Sequence, residues 1–175
     1  MSPGNEIGLM TLTEIEFLNF LDSLKIPYQR LEHPPVYTCE QAEQFRPKSP
    51  GVSTKNLFLT DKNKTRFYLV MTACEKRVDI RKLGKQLGAP KLHFASEARL
   101  MEYLGVTPGA VTVLGLVNDE ELRIHLYIDD EIWGAGLFLC HPLVNTSTLV
   151  LQKANLERFF EITQHPVNLL RIPSI

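Results

Sequence analysis

Cysteine is scarce in this sequence, and its placement offers no metal site. The three cysteines, Cys39, Cys74 and Cys140, lie far apart, form no Cys-x-x-Cys pair and have no histidine at the spacing of a zinc ligand. This pattern argues against a structural zinc site. We expect the three side chains to be buried or free thiols in a reducing compartment.

Long apolar runs and glycine-rich nucleotide motifs are also missing. No apolar run approaches the ~20 residues that span a bilayer, and residues 1–10 hold no basic region followed by an apolar core. No glycine-rich turn joins a strand to a helix as in a dinucleotide site or a P-loop. No set of carboxylates and histidines has metal-ligand spacing. We therefore expect a cytoplasmic protein without a metal or a cofactor.

The residues that are present suit one globular domain. The chain has 175 residues, of which 44% are hydrophobic and 22% are charged, as in an ordinary soluble protein. A chain of this length buries roughly two thirds of the surface that its unfolded form exposes. We expect a tail at residues 1–11 and a single domain at residues 12–175.

The net charge of −1 conceals an uneven distribution. Residues 46–91 contain twelve lysines or arginines and three acids, whereas the remainder contains seven basic and seventeen acidic residues. A basic segment is typical of proteins that handle phosphates, because lysine and arginine displace the counterions of the phosphates. A basic face that only meets water would give the same pattern.

Capping patterns and apolar spacing predict several helices. Helices should begin after Thr13, Thr38, Asp79 and Ser96, whose side chains can accept a hydrogen bond from the first turn. Another helix is predicted at residues 155–163.

The strand pattern favours hairpins. One hairpin joins residues 56–59 to 66–71, and a second joins residues 111–117 to 122–128. Shorter strands are predicted at residues 28–31, 92–95, 137–139, 149–151 and 167–172. Because the strands do not alternate strictly with helices, we predict an α+β fold with a curved, mixed, mostly antiparallel sheet flanked by helices.

Lys55 is the first functional candidate. It stands at the entrance of the first hairpin, where an apolar or turn residue would be ordinary. Lysines at strand ends usually point into water. Its place inside the basic segment favours a functional role instead.

Three loops could contribute to a polar pocket. Residues 33–37 contain two consecutive prolines, which remove amide donors and hold the chain extended. Residues 105–110 contain two glycines and a proline, a backbone that can aim amide groups at an oxyanion. His141 follows an apolar run and precedes several hydroxyl and amide side chains. A rigid connector, a helix stop and a structural histidine are the respective alternatives.

Five ordered motifs carry a resemblance to a known family. They are HPPVYT at residues 33–38, TKNLFL at 54–59, LGVTPGAVT at 104–112, GLVND at 115–119 and HPL at 141–143. Together they resemble the YbaK/ProX family of trans-acting aminoacyl-tRNA deacylases, and within it most of all the ProX branch. The similarity extends over about residues 12–172.

The resemblance implies a free-standing editing domain, related to the domain inserted in bacterial prolyl-tRNA synthetases. Such a domain hydrolyses the ester between alanine and the terminal adenosine of tRNA(Pro), with help from the neighbouring ribose hydroxyl. The family's key lysine falls on Lys55, its Gly-x-x-Pro-Gly loop on Gly105 and Gly109, and its late histidine on His141. A charged lysine is not a base, so Lys55 would position and polarise the substrate. A pocket tighter than that of the synthetase would admit alanine and exclude proline.

The other expected site residues form two groups. The expected substrate-binding residues are His33, Val36, Thr38, Asn56, Leu57, Thr107, Pro108 and Asn145. The expected tRNA-binding residues are Lys48, Lys62, Lys64, Arg81 and Lys91.

The expected partner is the acceptor end of aminoacyl-tRNA(Pro), delivered by a prolyl-tRNA synthetase or an elongation factor. Neither DNA nor a membrane is an expected partner. Three alternatives stay open. The chain could be a non-catalytic module that binds charged tRNA or a synthetase, a deacylase of another branch that acts on cysteine or serine esters, or a small-molecule binding protein.

Overall fold

A mixed β-sheet forms the centre of the fold. The computed structural model describes residues 11–46, 48 and 50–175, and within them the sheet has eight strands. The strands are β1 (Gln29–Glu32), β2 (Val52–Thr60), β3 (Phe67–Ala73), β4 (His93–Phe94), β5 (Ile124–Asp129), β6 (Leu137–Cys140), β7 (Ser147–Gln152) and β8 (Asn168–Leu170). Residues 1–10 of the expected tail lie outside the described residues.

The strand order is β1-β7-β6-β2-β3-β5-β8, and β4 pairs with β2 beside this path. Antiparallel pairs join β1 to β7, β7 to β6, β2 to β3 and β2 to β4. Parallel pairs join β2 to β6, β3 to β5 and β5 to β8. The predicted α+β fold with a mixed, mostly antiparallel sheet is confirmed.

Six α-helices of the described chain surround the sheet. They are α1 (Glu14–Ser23), α2 (Cys39–Glu43), α3 (Ile80–Gln86), α4 (Glu97–Leu104), α5 (Asp130–Trp133) and α6 (Lys153–Ile162). The predicted caps Thr13, Thr38, Asp79 and Ser96 each accept a hydrogen bond from the amide three residues ahead. In the described chain, no helix has the length and apolar character needed to cross a membrane.

The two faces of the sheet carry two apolar cores. The larger core packs α1, α4 and α6 against the sheet through buried side chains such as Phe17, Leu104 and Phe159. The smaller core packs α3 on the other face, where Leu83 meets Leu59 and Val70. These cores fix β2 and β3 in the middle of the molecule.

The predicted second hairpin is wrong. Instead of a strand at residues 111–117, the chain forms a 3-10 helix at Val113–Asn118, and β5 pairs in parallel with β3. The Asp119 carboxylate accepts hydrogen bonds from the amides of Arg123 and Ile124 at 3.1 and 2.8 Å. These bonds form the turn into β5, so the polar residues 118–121 do not connect two antiparallel strands.

The expectation that all three cysteines are buried or free thiols is wrong for two of them. Cys39 and Cys74 form a disulfide, with their Cα atoms 5.7 Å apart, and only Cys140 is free and buried within the described chain. Cys39 opens α2 and Cys74 follows β3. The bond therefore ties the short helix α2 to the end of the central strand pair.

Candidate active site

A gap along one edge of β2 creates the site. On that edge, Val52 and Ser53 pair with β6, and Leu59 and Thr60 pair with β4. Among the residues that the structure describes, no strand pairs with residues 55–57 on this edge. Because the neighbouring strands diverge here, this edge of β2 borders an opening instead of a further strand.

A cavity of about 180 Å³ fills this opening. Six of the predicted site residues line it, namely Val36, Thr38, Lys55, Asn56, Gly109 and His141. They come from four separate segments of the chain. A smaller cavity of about 40 Å³ adjoins it and shares Asn56 and His141.

Hydrogen bonds to Asn145 hold the proline loop that forms one wall. The amide of Val36 donates to the backbone oxygen of Asn145 at 3.1 Å, and the Asn145 side chain donates to the backbone oxygen of Val36 at 3.0 Å. Val36 is 2% exposed. Asn145 therefore acts on the loop, although it was predicted to bind substrate directly.

Lys55 projects from β2 into the cavity and is partly buried. Burial lowers the pKa of its ammonium from the ordinary value, while the nearby carboxylates of Glu75 and Glu40 oppose that shift. Desolvation disfavours the charged form, so a ligand that offers negative charge would gain from this lysine. The residue is thus suited to hold a phosphate or a polarised carbonyl oxygen.

His141 offers a hydrogen-bond acceptor to the cavity. Its Nδ1 lies 3.0 Å from the backbone oxygen of Ser147, and since that oxygen can only accept, Nδ1 carries the proton. Burial lowers the pKa of His141, and the neighbouring His33 lowers it further, although the bond to Ser147 opposes both effects. The neutral ring therefore leaves Nε2 free to accept a hydrogen bond.

Asn56 supplies a second acceptor. Its Oδ1 is buried and has no hydrogen-bond partner among the residues that the structure describes. A buried polar atom without a partner costs about 1–3 kcal/mol. Asn56 Oδ1 and His141 Nε2 therefore suit a ligand group that donates several hydrogen bonds, such as an ammonium.

His33 lies behind the smaller cavity. Its Nε2 is 2.9 Å from the hydroxyl of Thr148, and its ring stacks on Phe45 with centroids 5.6 Å apart. The ring centroids of His33 and His141 are 6.2 Å apart. His33 therefore supports the wall and tunes His141.

In the glycine loop, Gly105 contributes to packing, whereas Gly109 lies at the cavity. Gly105 ends α4 with φ 65°, and a Cβ there would lie 2.7 Å from Asn118 Nδ2. Its amide is already bonded to the helix. Gly109, with φ 88°, lies at the cavity. Thr107 and Pro108 are exposed and lie outside the cavity lining.

The remaining predicted residues lie away from the cavity. Leu57 packs against the smaller apolar core. Lys62 and Lys64 are exposed in the turn after β2, and one residue of strand spans about 3.3 Å, so this turn starts roughly 17 Å beyond Lys55. The other three predicted tRNA-binding residues are exposed, and they are Lys48, Arg81 and Lys91.

The basic segment offers less free charge than its sequence implies. Lys76 is largely buried and lies 2.8 and 2.6 Å from the carboxylates of Asp129 and Glu131. Arg66 and Lys82 also lie within 4 Å of carboxylates of the same segment. Only part of the local positive charge is therefore available to phosphates.

The sequence did not single out several residues that line the cavity. They are Tyr37, Cys39, Ala42, Thr54, Cys74 and Val111. Ala42 and Cys39 are brought in by α2, and Thr54 is held by a hydrogen bond of 2.8 Å to the backbone oxygen of Leu139. Tyr37 alone carried a signal, since an aromatic residue two positions after a pair of prolines is held by a stiff loop.

Two other features of the described chain were considered as sites. No group of three histidine, cysteine, aspartate or glutamate side chains in the described chain could hold a metal ion. A wider, open groove of about 670 Å³ runs past Trp133, Glu157, Glu161 and Leu169. Its two glutamates make it unsuited to phosphates.

Comparisons with known proteins show which family this chain resembles. The family of aminoacyl-tRNA editing domains matches residues 33–159. The prolyl-tRNA editing protein ProX of Acetoanaerobium sticklandii is 39% identical over 138 residues, which cover 79% of this chain and 84% of that protein. The prolyl-tRNA synthetase associated domain-containing protein 1 of Danio rerio is 40% identical over 152 residues, which cover 86% of this chain and 82% of that protein.

A solved structure supports the fold. The crystal structure of a proposed trans-editing enzyme for prolyl tRNA synthetase matches with a TM-score of 0.68 at 18% sequence identity, and covers 93% of this chain and 99% of that chain. The resemblance predicted from the five motifs is confirmed. The chain belongs to the family of aminoacyl-tRNA editing domains.

Proposed function

We propose that this chain is a trans-editing deacylase that hydrolyses the ester of mischarged tRNA(Pro), with Ala-tRNA(Pro) as its preferred substrate. The convergence of Lys55, Asn56, Gly109 and His141 on one cavity carries the proposal. The tRNA is inferred from the relatives, one of which is named a prolyl-tRNA editing protein. A synthetase or an elongation factor would deliver the charged tRNA.

The size of the cavity supports an aminoacyl substrate. Sites for whole small molecules usually measure about 300–1,000 Å³, whereas this cavity measures about 180 Å³. It has room for an amino acid and its ester, and the nucleotide would remain outside. This disfavours a small-molecule binding protein that encloses its ligand.

The polar groups suit the two ends of an aminoacyl ester. The α-ammonium of the amino acid would donate to Asn56 Oδ1, which has no partner within the described chain, and to His141 Nε2, which is an acceptor because Nδ1 carries the proton. The ammonium of Lys55 would attract the ester carbonyl or the ribose-phosphate end. This arrangement separates donors from acceptors across the cavity.

The reaction needs little covalent chemistry from the protein. A water attacks the carbonyl carbon, the bond between that carbon and the ribose oxygen breaks, and the ribose oxygen takes up a proton. The amino acid leaves as a free carboxylate. Lys55 and the backbone at Gly109 would hold the ester and stabilise the developing oxyanion.

The smaller cavity would act as the sieve for the side chain. It measures about 40 Å³ and is lined by Ala42, Phe45, Cys140 and Thr148 among others. A water needs about 10–15 Å³ by this measure, so the space suits a methyl group. A pyrrolidine ring would meet Phe45 and Cys140.

The tRNA body would lie along the exposed lysines of the β2–β3 turn. Lys62 and Lys64 both point away from the core there. Contacts of this kind to phosphates depend strongly on salt. A variant with alanine at both positions should bind tRNA more weakly and with a smaller salt dependence.

The decisive experiment measures release of labelled amino acid from Ala-tRNA(Pro), Pro-tRNA(Pro), Cys-tRNA(Pro) and Ser-tRNA(Pro). Wild type should cleave the alanine ester and spare the proline ester. Lys55→Ala should lose about 100- to 1,000-fold in kcat/KM, as when one oxyanion donor is removed. Lys25→Ala, an exposed lysine after α1, is the matched control and should retain activity.

Each other outcome assigns a different function. Cleavage of Pro-tRNA(Pro) as fast as Ala-tRNA(Pro) would contradict the proposal that the smaller cavity excludes proline. Preference for cysteine or serine esters would place the chain in another branch. Binding of charged tRNA without cleavage of any ester would establish a non-catalytic module.

A further inference from the structure

Tyr37 presents an exposed aromatic ring at the mouth of the candidate active site. The side chain lines the cavity that holds Lys55, yet the residue is 69% exposed. One side of the ring lies against the glycine loop, because a Cβ on Gly109 would be 3.1 Å from the Cδ1 atom of Tyr37. Most of the residue remains open to solvent.

The backbone that carries this ring is held by hydrogen bonds in which the ring takes no part. The amide of Tyr37 donates to the side chain of Gln41 at 2.8 Å, and the next residue, Thr38, caps α2. Pro35 and the buried Val36 restrict the chain before it. The ring is thus displayed by a rigid segment, a condition that makes aromatic contact with a ligand favourable.

Unlike Tyr37, the neighbouring aromatic residue Phe45 has one face of its ring covered by another ring. It is 39% exposed, and its ring is stacked on His33 with nearly parallel planes. No aromatic ring within residues 11–46, 48 and 50–175 covers Tyr37 in this way. Tyr37 therefore has an unused aromatic face beside the cavity.

The size of the cavity determines what would meet this face. About 180 Å³ accommodates the aminoacyl ester but not the nucleoside to which it is attached. The base of that nucleoside must then lie at the rim. Stacking of one base on an aromatic side chain strengthens binding by about 5- to 150-fold.

We infer that Tyr37 is the stacking platform for the terminal purine base of the substrate RNA. The inference rests on the proposed function, since it assumes an ester carried by an RNA 3′ end. Tyr37 binds the base and so places the ester over Lys55. It takes no part in the chemical step.

A pair of substrates tests this role. One is a short RNA with an alanyl ester on its terminal adenosine, and the other has the same ester on a terminal ribose without a base. For wild type, loss of the base should raise KM by about 5- to 150-fold. Tyr37→Ala should raise KM for the adenosine substrate by a similar factor, leave kcat within about twofold, and have no effect on the substrate without a base.

Conservative and distant variants separate stacking from a structural role. Tyr37→Phe should restore the low KM, because it retains the ring. Phe94→Ala removes another exposed aromatic, which is 57% exposed on β4 and outside the cavity lining, and should behave as wild type. If Tyr37→Ala lowers kcat equally for both substrates, or leaves KM unchanged, the stacking role is overturned.

A binding measurement keeps this inference separate from the proposed function. A non-hydrolysable amide analogue with 2-aminopurine as its terminal base should lose fluorescence on binding to wild type and to Tyr37→Phe, but not to Tyr37→Ala. That result supports stacking even if no ester is cleaved. Equal quenching by wild type and Tyr37→Ala would overturn it even if hydrolysis is observed.

Discussion

Removing the bond between Cys39 and Cys74 should destabilise the fold by several kcal/mol. The two residues are 35 positions apart, and the bond closes that loop in the unfolded chain. The loop-entropy relation gives about 3 kcal/mol for 15 residues and about 4.7 kcal/mol for 100, hence about 3.8 kcal/mol here. For a domain of this size, that loss lowers Tm by roughly 8–15 °C.

The same change should loosen one wall of the candidate active site. Helix α2 has no buried residue, so the disulfide is its main attachment to the sheet. Without the disulfide, two hydrogen bonds remain. The hydroxyl of Ser53 donates to the carboxylate of Glu43, and the side chain of Arg46 donates to the backbone oxygen of Gly51. Since small displacements of positioning groups cost up to ~100-fold in rate, kcat/KM should fall markedly.

Urea and thermal unfolding of oxidised and reduced wild type would test this reasoning. The variant with Cys39→Ser and Cys74→Ser should match reduced wild type. A phosphine reductant should leave the melting of that variant unchanged, which controls for effects on buried Cys140. Oxidised and reduced wild type with the same unfolding midpoint would refute the argument.

Two further predictions concern buried titratable groups. Burial lowers the pKa of His141 below its ordinary value of 6.5. As the pH falls, this histidine therefore takes up a proton in the unfolded chain before it does so in the folded chain, and the fold loses stability below pH 6.5. Hydrolysis by wild type should persist at pH 6.5 and fall at lower pH as Nε2 is protonated. Hydrolysis by His141→Gln should lack this fall at low pH. Burial raises the pKa of Asp119, but the hydrogen bond from His165 and two backbone amides lower it overall. Asp119→Ala should therefore cost about 3–5 kcal/mol in urea unfolding, whereas Glu121→Ala, which removes an exposed partner of Arg123, should change stability by less than about 0.5 kcal/mol.

Local hydrogen bonds made several elements predictable. The caps at Thr13, Asp79 and Ser96 act on amides three residues away, so short stretches of sequence are sufficient to identify them. The hairpin of β2 and β3 was predictable for a similar reason. Its turn is held by Asp61, which accepts from the amides of Thr65 and Arg66.

The 3-10 helix at Val113–Asn118 was not predictable from its own residues. A run of apolar residues is compatible with a strand or with a buried helix. Contacts with α4 decide between them, because Gly115 packs against Leu104 and Asn118 donates to the backbone oxygen of Leu104 at 2.9 Å. Leu104 is eleven residues before Gly115, beyond the range of any local pattern.

The motifs of the sequence identified the family and six residues of the cavity, since each motif keeps its residue types at fixed spacing along the chain. Tertiary structure decided which of those residues meet. The gap beside β2 brings together the proline loop, Lys55, Gly109 and His141, whereas Leu57 packs against the smaller apolar core. Tertiary structure also joined Cys39 to Cys74 and exposed the ring of Tyr37. These features depend on distances between segments that are remote in sequence, and such distances are set by how the strands and helices pack.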